Sequence, residues 1–193
     1  MFQVRIHGRG GQGVVTAAEL LSVAAFVEGR EAQAFPSFGS ERTGAPVVAF
    51  CRIDERPIRT REPVASPDAL IVLDPTLLHQ VDLFAGLGPD GYLLVNTSAT
   101  LEELGLGELV ARLLRERVAT VAASEIAREH VGRPLPNAAL LGAFAALTRR
   151  LTLDSITGAI EQRFAGAVGA ANAAAARHAY ATVLEAMQEP AHA

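Results

Sequence analysis

The sequence predicts an α/β protein: a three-layer α/β/α sandwich with a mixed, mostly parallel sheet and a helical C-terminal tail, in one domain over residues 1–193. Three observations predict it. Short apolar runs alternate with helical stretches, the pattern of parallel strands joined by helical crossovers. Two of the runs, "ALIVLD" (Ala69–Asp74) and "YLLVN" (Tyr92–Asn96), read as strands buried in a parallel sheet. The third, "PVVAFCRIDERPIR", reads as a strand over Pro46–Ile53, a turn at Asp54-Glu55 and a short return strand, which makes the sheet mixed.

The elements follow in order. "FQVRI" (Phe2–Ile6) is a first strand, and Val14–Glu28 a helix stopped by Gly29. In that helix Thr16, Glu19 and Ser22 form one narrow polar stripe, so most of its sides are covered. "AQAF" is a second strand, stopped by Pro36. A short helix over Thr76–Phe84 follows the "ALIVLD" strand, and "GPDG" turns the chain into "YLLVN". Then come a helix around Glu102–Arg115, a short strand "RVATV" and a helix over Ser124–His130. The tail is helical over Asn137–Leu151, Leu153–Phe164 with Thr152 as N-cap, and Gly169–Met187. The alanine-rich last helix buries little area per residue but permits close backbone approach, which suits packing against a neighbour.

Composition narrows the function. Half the residues are hydrophobic and the mean hydropathy is +0.25, apolar enough to expect surface that faces partner subunits. The apolar runs fall short of a membrane span, and "MFQVRIHG" lacks the regions of a secretory signal, which predicts a cytoplasmic protein. A net charge of −4 argues against nucleic-acid binding. One cysteine, Cys51, rules out an internal disulfide and any iron–sulfur cluster ligated by this chain alone. All 17 basic residues are arginine, so there is no lysine for a pyridoxal-phosphate Schiff base or a Walker A motif.

The unusual stretch is "HGRGGQG". Gly8, Gly10 and Gly13 satisfy the G-x-G-x-x-G pattern, with Gly11 as a further glycine, between a strand and a helix. Three readings are open: a dinucleotide site, an anion or cofactor phosphate at the helix amino end, or a glycine turn that packs strand on helix. A dinucleotide site also wants an acid at the end of the second strand; Glu31 stands at its start and Glu41 comes too late. The loop "PSFGSERTGAP" (Pro36–Pro46) is punctuated by proline and glycine and carries Ser40, Glu41 and Arg42. It is either a binding loop or a surface loop with an ordinary Glu–Arg pair. Arg52, Arg56, Arg59 and Arg61 are offset by Asp54, Glu55 and Glu62, which reads as a solvated hairpin edge or one facing an acidic partner.

Catalytic sets are missing. The histidines are scattered with no H-x-x-x-H pair, so spacing indicates no metal site. Ser37 and Ser40 lack a nucleophile elbow, and "PDGYLLVN" lacks the first glycine and the Asn pair of a thiamine-diphosphate signature.

Together, "GRGGQGVVTAAELL", "QAFPSFGSERTGAPVVAFCRID" and "PDALIVLDPTLL…DGYLLVNT" resemble the gamma subunit, or domain III, of 2-oxoacid:ferredoxin oxidoreductases, a likeness running through "GRPLPNAALLGAF" (Gly132–Phe144). The resemblance implies an accessory subunit, without catalytic residues of its own, of an enzyme that oxidatively decarboxylates a 2-oxo acid to an acyl-CoA. It implies alpha, beta and ferredoxin-like delta subunits as partners and ferredoxin as acceptor. Thiamine diphosphate, Mg2+ and [4Fe-4S] clusters would lie mainly on those other subunits, with coenzyme A as co-substrate. On this reading Gly8, Gly10, Gly11 and Gly13, with Ser40 and Arg42, contact CoA or close the cofactor pocket. The alternative is a free-standing NAD(P)-binding Rossmann-like enzyme or a nucleotide-binding regulator.

Overall fold

The computed structural model describes residues 1–37 and 44–188. Six strands form one sheet: β1 (Phe2–Arg9), β2 (Glu31–Pro36), β3 (Pro46–Asp54), β4 (Ala69–Val72), β5 (Tyr92–Asn96) and β6 (Val118–Val121). Their order is β2-β3-β1-β4-β5-β6, and β3 runs antiparallel between β2 and β1 while β4, β5 and β6 follow β1 in parallel. The sheet is mixed, as expected, but not through the expected hairpin. Both edges of β3 are taken by β1 and β2, so "RPIR" has no edge to pair with. Instead the Asp54 carboxylate accepts from the Glu55 and Arg56 amides, turning the chain out of the sheet.

One face of the sheet carries α1 (Val14–Val27), α3 (Ala123–Val131), α4 (Asn137–Thr148), α5 (Leu153–Arg163) and α6 (Gly166–Gln188). Val4, Ile6, Cys51, Ile71 and Leu94 point into this layer and join one continuous core with the helices. All residues of α4 are buried, in keeping with a helix that is apolar all round and lies between the sheet and other helices. The alanine-rich α6 packs on this helix, and on α3 and α5 as well. A Cβ on Gly142 would stand 1.9 Å from the Ala176 carbonyl oxygen, so the two backbones touch directly. Glu28, after α1, accepts from the Thr152 amide at 2.7 Å and the Ser155 hydroxyl at 2.6 Å, tying α1 to the start of α5.

The other face holds a smaller core of Leu70, Val72, Leu77, Leu83, Leu93 and Val95. Its cover is irregular chain with a 3-10 turn at Pro75–His79 and the one-turn α2 (Gly107–Val110). The helices expected at Thr76–Phe84 and Glu102–Arg115 are therefore cut to single turns; glycines at 86, 88, 91, 105 and 107 interrupt or bound these segments. Among the described residues no helix is long and apolar enough to cross a membrane. Phe26 and Val27, at the exposed end of α1, remain open to solvent, and this is apolar surface of the kind the composition predicts.

Candidate functional site

In a sheet with this topology the carboxyl ends of β1, β2, β4, β5 and β6 and the start of β3 share one edge. The glycine turn lies there. Gly8 is still in β1, and a Cβ on it would meet Val14 at 2.6 Å and Leu73 at 3.0 Å; it serves close packing of strand on helix. Gly10 donates to the Ala45 carbonyl at 2.9 Å and accepts from the Gly44 amide at 3.2 Å. The base of the neighbouring loop is thus stitched to the turn. Gly11 is exposed, with φ +95° and open space around it. Gly13, φ +79°, caps α1, and a Cβ there would run into the Asn137 carboxamide at 2.5 Å. Ser40 and Arg42 lie outside the described residues. Their flanks, Ser37 and Gly44, leave from this same edge, where the Ser37 amide donates to the Val48 carbonyl at 2.8 Å.

Asn137 opens α4, so the amino ends of two helices meet at Gly13. Among the described residues neither helix has an acidic residue in its first turn or a side-chain cap, which leaves amides and positive dipole ends at one spot. That favours an anion there.

A polar cluster that sequence reading missed supports the turn. Arg9 Nε donates to the Asp74 carboxylate at 3.1 Å, and its other nitrogens reach the Gly44 carbonyl at 3.1 Å and Thr76 Oγ1 at 2.8 Å. Gln12 bridges the same acid: its amide nitrogen donates to Asp74 at 2.8 Å while its oxygen accepts from the Arg9 amide at 2.8 Å. Burial works to raise the Asp74 carboxyl, but donation from Thr76 and Gln12 and the Arg9 charge outweigh it and hold the group below the ordinary range. Asp74 is an ionised strut. Its signal was an acid directly after an apolar strand, at the carboxyl edge where α/β proteins place their sites. Beside it, Asn96 donates to the Leu73 carbonyl at 2.7 Å and to Ser124 Oγ at 2.8 Å, joining β4, β5 and α3.

The arrangement speaks against dinucleotide binding. In the Rossmann order the second strand lies directly beside the first, and its terminal acid reaches the ribose. Here β3 intervenes, which places the end of β2 about 10 Å from β1 at the usual strand spacing, and β2 ends in Pro36 while Glu31 begins it. The groups implied by the resemblance also find poor donors here. Cys51 is fully buried and its thiol is pushed up to about 12, unfit as a cluster ligand. Asn96 spends its side chain on structure, and Asp90, by "PDGYLLVN", is an exposed partner of Arg117. These residues do not fit a thiamine magnesium site. The arginine-dense stretch is not an edge hairpin. Arg52 turns inward to Gln3, at 3.1 Å, and the Glu62 carbonyl. Arg56, with Arg30, Arg150, Asp54 and Asp68, lines an open cleft of about 500 Å³ at the opposite sheet edge, where both signs of charge mix.

The family model described as pyruvate ferredoxin/flavodoxin oxidoreductase matches residues 3–182. The chain is 49% identical to the pyruvate/ketoisovalerate oxidoreductases common subunit gamma of Pyrococcus abyssi, over 93% of this chain and 96% of that protein. It is 47% identical, with the same coverage, to pyruvate synthase subunit PorC of Methanothermobacter marburgensis. The crystal structure of pyruvate oxidoreductase subunit PORC from Thermotoga maritima superposes with a TM-score of 0.78 at 37% identity, covering 93% of this chain and 95% of that one.

Proposed function

Because the chain belongs to the pyruvate ferredoxin/flavodoxin oxidoreductase family, as a gamma subunit, we propose that residues 1–193 act as one domain that completes a cytoplasmic, thiamine-diphosphate-dependent enzyme converting pyruvate to acetyl-CoA. The named relatives point to pyruvate, and the Pyrococcus protein to a branched-chain 2-oxo acid as well. The partners are alpha, beta and ferredoxin-like delta subunits, with ferredoxin as acceptor. They hold thiamine diphosphate, Mg2+ and the [4Fe-4S] clusters, since the residues here do not fit those groups.

This chain's own contribution is the glycine edge. The observation that carries the reading is the meeting of the α1 and α4 amino ends at Gly13, beside a loop base stitched to Gly10. Gly8 and Gly13 let strand and helices close up, and Gly10 and Gly11 keep the turn low enough for a ligand to approach its amides. Arg9 is already matched by Asp74, so the cation for the CoA phosphates is Arg42, with Ser40 as a second donor from the same stretch of sequence.

The test is the co-expressed complex carrying Arg42→Ala. One charge-assisted hydrogen bond contributes about 1.5–3 kcal/mol, so KM for CoA should rise tenfold or more while KM for pyruvate stays put. Unchanged CoA dependence with weakened subunit association would make Glu41–Arg42 an interface ion pair instead.

A further inference from the structure

The histidines scattered in sequence do not all stay apart in space. His130 stands in the last turn of α3 and His178 midway along α6, and their rings meet edge to face with centroids 5.3 Å apart. His130 Nε2 is 3.0 Å from His178 Nδ1, and the Glu129 carboxylate lies 4.0 Å from the same Nδ1. One ligand atom from each of the three falls within 4.8 Å of the others.

A tetrahedral ion with bonds of about 2.0–2.2 Å needs its ligand atoms about 3.3 Å apart. His178 Nδ1 stands at 3.0 and 4.0 Å from the other two ligand atoms and all three lie within 4.8 Å, so side-chain rotation is what a shared ion requires. The two helices that carry these groups, α3 and α6, already pack on each other through buried faces that include Ala127 and Ala179. His178 and Glu129 reach solvent, which leaves a path for entry and room for a water as fourth ligand. Two imidazoles and one carboxylate are borderline donors suited to Zn2+ or Co2+ rather than to Mg2+ or Ca2+.

We propose that Glu129, His130 and His178 form a zinc-class metal site that staples the C-terminal helix to α3. The site lies on the helical face, away from the glycine edge, and it owes nothing to the CoA reading.

The experiment uses the full chain without a polyhistidine tag, stripped with chelator and titrated with Co2+ and Zn2+. One equivalent should bind at micromolar affinity or tighter, Co2+ should give the intense visible absorption of a tetrahedral centre, and Zn2+ should raise Tm. Loss of a group that merely holds a metal's ligand in place weakens metal sites about 10–100-fold, so His130→Ala and His178→Ala should each weaken binding about 100-fold or more. Glu129→Gln should weaken it less, about tenfold, and His79→Ala should change nothing. Far-UV circular dichroism of the metal-free variants checks that they fold. Absent stoichiometric binding, or binding undiminished in His130→Ala and His178→Ala, overturns the proposal and leaves a hydrogen-bonded imidazole pair.

Discussion

The two faces of the sheet are covered by different kinds of chain, and β1 shows what each demands. Its even positions, Val4 and Ile6, pair with Ala69 and Ile71 and face helices. Its odd positions, Arg5 and His7, pair with Leu70 and Val72 and face irregular chain, yet they too are buried. Helices satisfy their own backbone groups, so a helical layer can meet the sheet with apolar side chains and even bare backbone. Irregular chain leaves carbonyls unmatched, and something must donate to them. Arg5 does so. Its guanidinium reaches the carbonyls of Val64, Ala65, Leu83 and Ala85 at 2.6–3.3 Å, pinning two loop segments to the sheet. The helical face rests mainly on fit, whereas the loop face adds donated hydrogen bonds to its smaller apolar core.

The sharpest way to break the helical face is Gly142→Val. With backbone oxygen 1.9 Å from the new Cβ, α4 and α6 must separate. We expect a loss above about 4 kcal/mol, read as insoluble or urea-sensitive chain. A Gly142→Val chain with wild-type urea midpoint would show that the contact yields. On the loop face, Arg5→Met keeps the length and removes the donors, leaving several buried carbonyls unpaired. The expected cost is about 3 kcal/mol, with proteolytic cutting appearing near residues 64–65 and 83–85, and unchanged protection there would refute the pinning role.

The effect that shows only over part of the pH range also arises on the loop face. Burial, and then the nearby Arg5 charge, lower the His7 pKa from 6.5 to about 4, and its buried Nε2 has no hydrogen-bond partner among the described residues. The unfolded chain therefore takes up this proton first. Stability present above pH 6.5 is lost as pH falls towards 4, by up to roughly 3 kcal/mol, and the loss ends below that. Unfolding free energies of wild type and His7→Gln across that window should differ in slope, the variant being flatter. Parallel curves would mean that His7 is protonated as easily folded as unfolded.

Much of this contrast lay open to sequence reading, and part of it could not. An all-apolar α4, an alanine-rich α6 and apolar β4 and β5 announce buried elements, because period and composition are local properties. So do the strand–glycine–helix order of "HGRGGQG" and the likeness to the gamma subunits. The polar alternation of β1 also reads locally, but as a strand with one wet face. Burial of Arg5 and His7 depends on loops some 60 to 80 residues away, which carry no periodic signal. The same holds for β3. Its strand character is written in "PVVAFCRI", whereas its insertion between β2 and β1, which speaks against a dinucleotide site, is a choice among pairings of equal local appearance. Asp74 and Gln12 acquire their partnership only when two strand ends come side by side, as do His130 and His178 when two helices pack. Sequence by itself determined the six strands, the long helices, the apolar inventory and the family, since short-range propensity and likeness of whole stretches suffice for them. Tertiary structure alone decided which polar groups are buried and which side chains meet, because burial and contact belong to distant pairs of segments rather than to any one of them.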